Sequence, residues 1–253
     1  MNNFGETYSK YYNLLYKDKN YQEEYNYIHD LIKKHGNTGN KNILDIGCGT
    51  GKHLNLFKKD GYIVSGVDMS ENMICEARKY LEQEEGLLCF KASEFTFEKK
   101  FNVIISLFHV MSYQTENTEL EKVFQNVSDH LVEGGLFVFD FWYGPAVLTD
   151  PPVVKIKRLE DDEVKITRIT EPEMRYNENI VDVNFEVMIE DKRTHLVEKL
   201  NETHKMRYLF LPEIELYANR NNFEVLNMYK WLTEDKLSDT SWYGLSVLKR
   251  RSS

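Results

Sequence analysis

The sequence predicts an α/β fold: a parallel sheet with helices on both faces, interrupted late by an antiparallel β insertion. Three observations predict it. Residues 42–140 alternate apolar, strand-like runs with amphipathic helical ones, the pattern of a sheet wrapped by crossover helices. The first apolar run ends in Asp45 and is followed at once by Gly47, Gly49 and Gly51, a turn in which backbone can lie against a ligand. After Pro151-Pro152 the rhythm changes to four alternating or β-branched runs with no helix between them.

The elements follow in order. Residues 6–35 read as helical, with Tyr8, Tyr12, Leu15 and Tyr16 at three- and four-residue spacing. ILDI is the first strand, and KHLNLFKKDG opens a helix behind the glycine turn. IVSGV is the second strand and ends in Asp68. The helix ENMICEARKYLEQ, the strands LLCFKA and FNVIISLF, and the helix NTELEKVFQNVSDHL come next. Gly134-Gly135 is expected to cap that helix before the fifth strand, GLFVFDF. The insertion holds VVKIKRL, EVKITRIT, NIVDVNFEVMIE and THLVEKLNETHKMRYLF. LPEIELYANRNN makes a helix from near Pro212. FEVLNMYKWL and SWYGLSVLKR close the main sheet, the last strand antiparallel. The expected division is 1–150 for a helical cap and the main core, 151–210 for the inserted sheet, and 211–253 for the final helix and strands.

Composition excludes several classes. The chain has 253 residues, 42% hydrophobic and 29% charged, and a formal net charge of −9, a globular profile. No run approaches the ~20 apolar residues of a membrane span. The polar, tyrosine-rich N-terminus lacks a signal-peptide pattern, so the expectation is cytoplasmic, with no membrane partner. Cys48, Cys75 and Cys89 form no Cys-x-x-Cys pair, and the histidines show no ligand spacing, so no metal is expected. Basic residues are scattered among acids, which speaks against a nucleic-acid polymer as partner. A homodimer is left open.

Glycine spacing decides which nucleoside the turn suits. A dinucleotide fingerprint needs Gly-x-Gly-x-x-Gly, and Lys52 stands where its third glycine would be. No Gly-Lys-Ser/Thr follows at phosphate-loop spacing. The series Gly-x-Gly-x-Gly with an acid two residues before it resembles motif I of the class I S-adenosylmethionine (SAM) methyltransferases, and Asp68 resembles their ribose-binding acid. That resemblance implies a Rossmann-like seven-stranded sheet, SAM as cofactor and S-adenosylhomocysteine as product.

Open α/β sheets bind ligands at the carboxyl ends of their strands. The cofactor candidates are therefore Gly47, Cys48, Gly49 and Gly51 after the first strand, Asp68 and Met69 after the second, Ala92 and Ser93 after the third, and Leu107 after the fourth. Tyr16 joins them from the N-terminal helix, which closes over the cofactor. Many class I enzymes carry an acid after the third strand to read the adenine amine; Lys91 takes that register here. A sulfonium methyl is already activated, so the protein's task is to hold a neutral nucleophile in line and exclude water. An amine acceptor needs at most a weak base, whereas a hydroxyl calls for a positioned one. His109 and Tyr113, in FHVMSYQ just past the fourth strand, face the expected methyl position, and Tyr12 approaches it from the N-terminal helix.

The whole chain, from about Tyr11 to Leu248, is similar to the methyltransferases of nucleotide-linked amino sugars, the N,N-dimethyltransferases of the desosamine and mycaminose type. YYNLLY, ILDIGCGTGKHL, GVDMSENMICEARKYL, ISLFHVMSY, LVEGGLFVFDFWY and SWYGLSVL carry the similarity. It implies a small-molecule acceptor, a nucleotide sugar, lined by Tyr12, Tyr113, Trp142 and Tyr143. Trp242 stands where the family places a nucleotide-binding arginine. A hydroxyl acceptor, another small amine, a module that holds SAM without using it, and a nicotinamide enzyme are the alternatives.

Overall fold

A computed structural model describes residues 14–36, 41–82 and 86–252. Its core is a seven-stranded sheet in the order β3-β2-β1-β4-β5-β11-β10. β1 (Asn42–Ile46), β2 (Ile63–Asp68), β3 (Leu87–Cys89), β4 (Phe101–Ser106) and β5 (Leu131–Tyr143) run parallel to their neighbours. β11 (Tyr243–Arg250) is antiparallel to both β5 and β10 (Phe223–Lys230). This is the Rossmann-like, seven-stranded sheet that the sequence leads one to expect, and its first four strands read as near-continuous apolar runs because both faces are covered. Ile43 packs under α1 (Tyr21–His35), α2 (Lys52–Lys59) and α3 (Glu71–Tyr80), among Ile28, Phe57 and Ile74. Its neighbour Leu44 turns to the opposite face, among Val123 and Phe124 of α4 (Asn117–His130) and Ile214 of α6 (Leu211–Arg220), the short α5 (Gly144–Thr149) lying between those two helices in the chain. No helix among the described residues is long and apolar enough to cross a membrane.

Two local expectations change. The helix expected over 6–35 is broken: Leu14 and Leu15 are helical, Tyr16–Asp18 turn, and α1 starts afresh at Tyr21. Asn20 is the reason, since its side-chain oxygen accepts the Glu23 N–H at 3.1 Å and caps the new helix. Tyr8 and Tyr12 lie outside the described residues. Gly134 and Gly135 do not cap α4, whose last turn runs directly into β5. Pairing of β5 with β4 jumps from Leu131 opposite Phe101 to Leu136 opposite Val103, and Gly134 (φ +73°) takes the left-handed backbone of that bulge.

The insertion is an antiparallel meander of β6 (Lys155–Glu160), β7 (Val164–Arg175), β8 (Ile180–Asp191) and β9 (Val197–Leu209). Its last strand returns to the core, where Tyr208 and Leu209 pair in parallel with Trp142 and Tyr143 at the end of β5. Its apolar face packs on Leu15 and Met73 through Ile166, Val187 and Ile189. Each such buried side chain contributes roughly 1.5–3 kcal/mol. The N-terminal segment is thereby held between the inserted sheet and the core, fixed further by Lys157 Nζ donating to the Leu15 carbonyl at 2.9 Å.

Candidate active site

A cavity of about 1130 Å³ lies at the carboxyl ends of β1, β2, β4 and β5, roofed by the inserted sheet. Its donor-side wall is the turn between β1 and α2. The Gly47 and Cys48 N–H groups donate to the Val67 carbonyl at 2.7 and 3.0 Å, pinning the turn to β2. Gly47, Gly49 and Gly51 all have positive φ, but for different reasons. A Cβ on Gly47 would stand 2.3 Å from Val110, and one on Gly51 would stand 2.9 Å from Leu81. A Cβ on Gly49 would meet nothing within 4 Å. Gly49 therefore leaves room at the cavity wall, while Gly51 serves helix packing and is not part of that wall. Cys48 is also outside the wall: its side chain is turned under the loop against Gly66, and burial pushes its thiol well up.

Asp68 closes this side. Its carboxylate accepts N–H bonds from Gly49 and Ser70, both at 2.9 Å, one on each oxygen. Burial raises its pKa while those two bonds lower it, with burial the larger effect. Each oxygen keeps a lone pair for a ligand hydroxyl. Met69, 46% exposed, stands at the rim, followed by Ala92 and Ser93. Lys91 is tied to Glu94 at 3.1 Å. The carboxylate in this part of the wall comes instead from α4: Glu119 accepts the Ser93 hydroxyl at 2.7 Å.

The far side is built after β4 and β5. Leu107 is buried in the wall, and Phe108 and His109 then adopt left-handed backbone (φ +67° and +64°), costly for residues with side chains. Asp140, buried in β5, holds them there: one oxygen accepts the His109 N–H at 2.8 Å and the other lies 2.8 Å from Nδ1 of the same residue. The imidazole stacks on Tyr243 at 4.5 Å. Tyr113 follows, in a short 3-10 turn, with its hydroxyl 2.7 Å from Nδ1 of His204 on β9. His204 Nε2 lies 3.1 Å from the Glu202 carboxylate. A carboxylate only accepts, so Nε2 donates to Glu202 and Nδ1 accepts from Tyr113. Burial pushes the Tyr113 phenol far above its ordinary range.

Tyr16 meets Phe108 edge-on at 5.0 Å, placing it in the wall. Trp142 and Trp242 contact each other at 5.3 Å and line the acceptor end. Tyr143, expected beside them, is not in the wall; strand alternation turns it to the Phe141 side of β5. Tyr12 lies outside the described residues. The cavity also holds Phe108, a strand-end candidate, and residues the sequence reading passed over: Arg168, His204 and Tyr243, with Asp140 behind His109. Asp140 carried a signal, an acid inside the apolar run FVFDFWY, as Asp45 is in ILDI. Arg168 shares strand parity with Val164 and Ile166, and His204 with Met206, which marks both as inward-facing.

Comparison with known proteins adds to this geometry. Residues 43–135 match the family model described as a methyltransferase domain. Over 141 residues the chain is 31% identical to the dTDP-3-amino-3,4,6-trideoxy-alpha-D-glucopyranose N,N-dimethyltransferase of Streptomyces venezuelae, covering 55% of this chain and 59% of that protein. The chain spans under three-fifths of the length of the first curated relatives it matches. Among solved structures, Streptomyces venezuelae DesVI has a TM-score of 0.80 at 23% identity, covering 96% of this chain and 98% of that one. An S-adenosylmethionine-dependent methyltransferase from Clostridium acetobutylicum has a TM-score of 0.80 at 22% identity, covering 96% and 97%. Both structural likenesses are in the fold. Residues 43–135 thus match a methyltransferase domain, and the cofactor that the glycine turn leads one to expect there is SAM. The site fits that cofactor on its own terms, because Gly49 leaves the wall open and Asp68 faces the opening with spare acceptor positions.

Proposed function

We propose that this chain is a SAM-dependent methyltransferase acting on a small-molecule acceptor, the amino group of a nucleotide-linked amino sugar, by in-line displacement. The observation that carries this reading is one continuous cavity. It runs from Gly49 and Asp68, the donor side, to Tyr113, Trp142 and Trp242, the acceptor side. Bound SAM supplies a methyl group already activated on a sulfonium.

This chain's residues do the rest. Asp68 would hold the ribose hydroxyls, and the Gly47–Gly49 backbone would meet the amino-acid part. Ala92, Ser93 and Glu119 would border the adenine. Phe108 and Tyr16 close the cavity on the N-terminal side and exclude water, which raises the value of precise alignment. The Tyr113 hydroxyl donates to His204, which fixes the phenol in the cavity wall. An acceptor amine lying against that ring would be oriented by it toward the donor. The phenol itself does not ionise near neutrality, so Tyr113 orients the acceptor and His204, held by Glu202, fixes Tyr113.

The His109–Asp140 pair favours a second reading, a hydroxyl acceptor. An Asp140 carboxylate oxygen stands 2.8 Å from Nδ1 of an imidazole in the cavity wall, the pairing of groups a general base uses. Methyl transfer by His109→Asn separates the two. With an amine acceptor the variant is expected to keep kcat within about tenfold. Loss of 10²-fold or more, the size of a general-base contribution, would count for the hydroxyl reading.

A further inference from the structure

The inserted sheet carries a half-buried cation that nothing in the site so far uses. Arg168 sits on the inward face of β7, opposite Lys157 and Val187 in the two neighbouring strands. Its guanidinium carbon lies 4.9 Å from the Phe185 ring and 6.0 Å from the Tyr16 ring. Nε and Nη1 are sealed from solvent and have no hydrogen-bond partner among the described residues. The side chain lines the cavity.

The carboxylates of the wall do not answer it. Neither Asp68, which holds the Gly49 and Ser70 N–H groups, nor Glu119, which holds Ser93 and Lys122, forms an ion pair with Arg168. Glu116 and Asp150 are exposed. The neighbouring cations are committed or solvated: Lys157 holds the Leu15 carbonyl, Lys91 holds Glu94, and Lys155 is exposed. A guanidinium edge whose Nε and Nη1 are shut off from water beside aromatic rings is costly unless a ligand completes it. Its planar fork matches a carboxylate or phosphate in a bidentate pair.

We infer that Arg168 is an anion-binding residue for the acceptor, so that this site selects a small molecule carrying a phosphate or carboxylate group. The inference rests on the methyltransferase reading of the cavity and narrows it. Charge supports it further. The donor's sulfonium and Arg168 are both cations in a largely apolar cavity, and an acceptor anion between them offsets their repulsion.

The test uses the full chain saturated with S-adenosylhomocysteine, titrated calorimetrically with inorganic pyrophosphate and, separately, with acetate. Wild type is expected to bind at least one of them saturably at one site. Arg168→Met, which keeps the packing stem, is expected to weaken that binding about 10- to 100-fold, the value of hydrogen bonds to a charged group. It should leave S-adenosylhomocysteine affinity and thermal stability at or above wild type. Equal anion binding by Arg168→Met, or no saturable binding by wild type, overturns the inference. So does weakened S-adenosylhomocysteine binding with unchanged anion binding, which would assign Arg168 to the donor's carboxylate. If the anion site behaves as expected but no methyl transfer occurs, the proposed function fails and the anion site stands.

Discussion

At the scale of single residues, the glycine turn separates folding from binding. Gly47 and Gly49 both have left-handed backbone, yet only Gly47 is hemmed in by a neighbour, Val110. Gly47→Ala is expected to cost about 2–5 kcal/mol, combining left-handed strain with overpacking. Gly49→Ala carries only the strain, about 1–2 kcal/mol, but pushes a methyl group into the cavity. Urea unfolding and calorimetry with S-adenosylhomocysteine distinguish them. Gly49→Ala should stay folded and lose at least about tenfold in affinity, or about 1.4 kcal/mol. A folded Gly49→Ala protein with undiminished affinity would remove Gly49 from the donor site. Asp68 shows the same economy: its backbone hydrogen bonds shape the turn while its remaining lone pairs face the ligand.

At the scale of elements, the inserted sheet forms part of the cavity wall. β9 pairs with the end of β5 through Tyr208 and Leu209, and this brings His204 against Tyr113. Arg207, on the opposite face of β9, bonds to Thr115, to Asn117 at 2.6 Å and to Glu213, and so fixes β9 to the starts of α4 and α6. Tyr113→Phe and His204→Phe each leave the other partner's polar atom buried, so each should destabilise the fold by about 1–3 kcal/mol. The double variant removes both atoms and should cost less than the sum, by about 0.5–3 kcal/mol of coupling in urea unfolding. Strict additivity would mean the contact does not form in solution.

At the scale of the molecule, the sheet order β3-β2-β1-β4-β5-β11-β10 reverses between β1 and β4, and the cavity opens there. That much was legible in the chain. ILDIGCGTG and Asp68 encode strand, turn and acid in local sequence, and the period-2 runs after Pro152 marked the insertion. The break at Asn20 and the β5 bulge were harder to read, because a capping residue inside a periodic run and a glycine pair beside a helix each suit two structures. Arg168 and His204 come from strands remote in sequence, and no local motif says which core residue they will face. Donor recognition is thus written in one stretch of chain, whereas acceptor recognition emerges from pairing between stretches.

The most direct measurement is mass spectrometry of a dTDP-linked amino sugar after incubation with SAM and either wild type or Asp68→Ala. The account predicts that wild type adds one or two methyl groups to the nitrogen. Asp68→Ala, missing the ribose contact, should need at least about tenfold more SAM to match it. Tight S-adenosylhomocysteine binding by wild type, with no methyl transfer to amine or hydroxyl acceptors, would contradict it and leave a protein that holds SAM without using it.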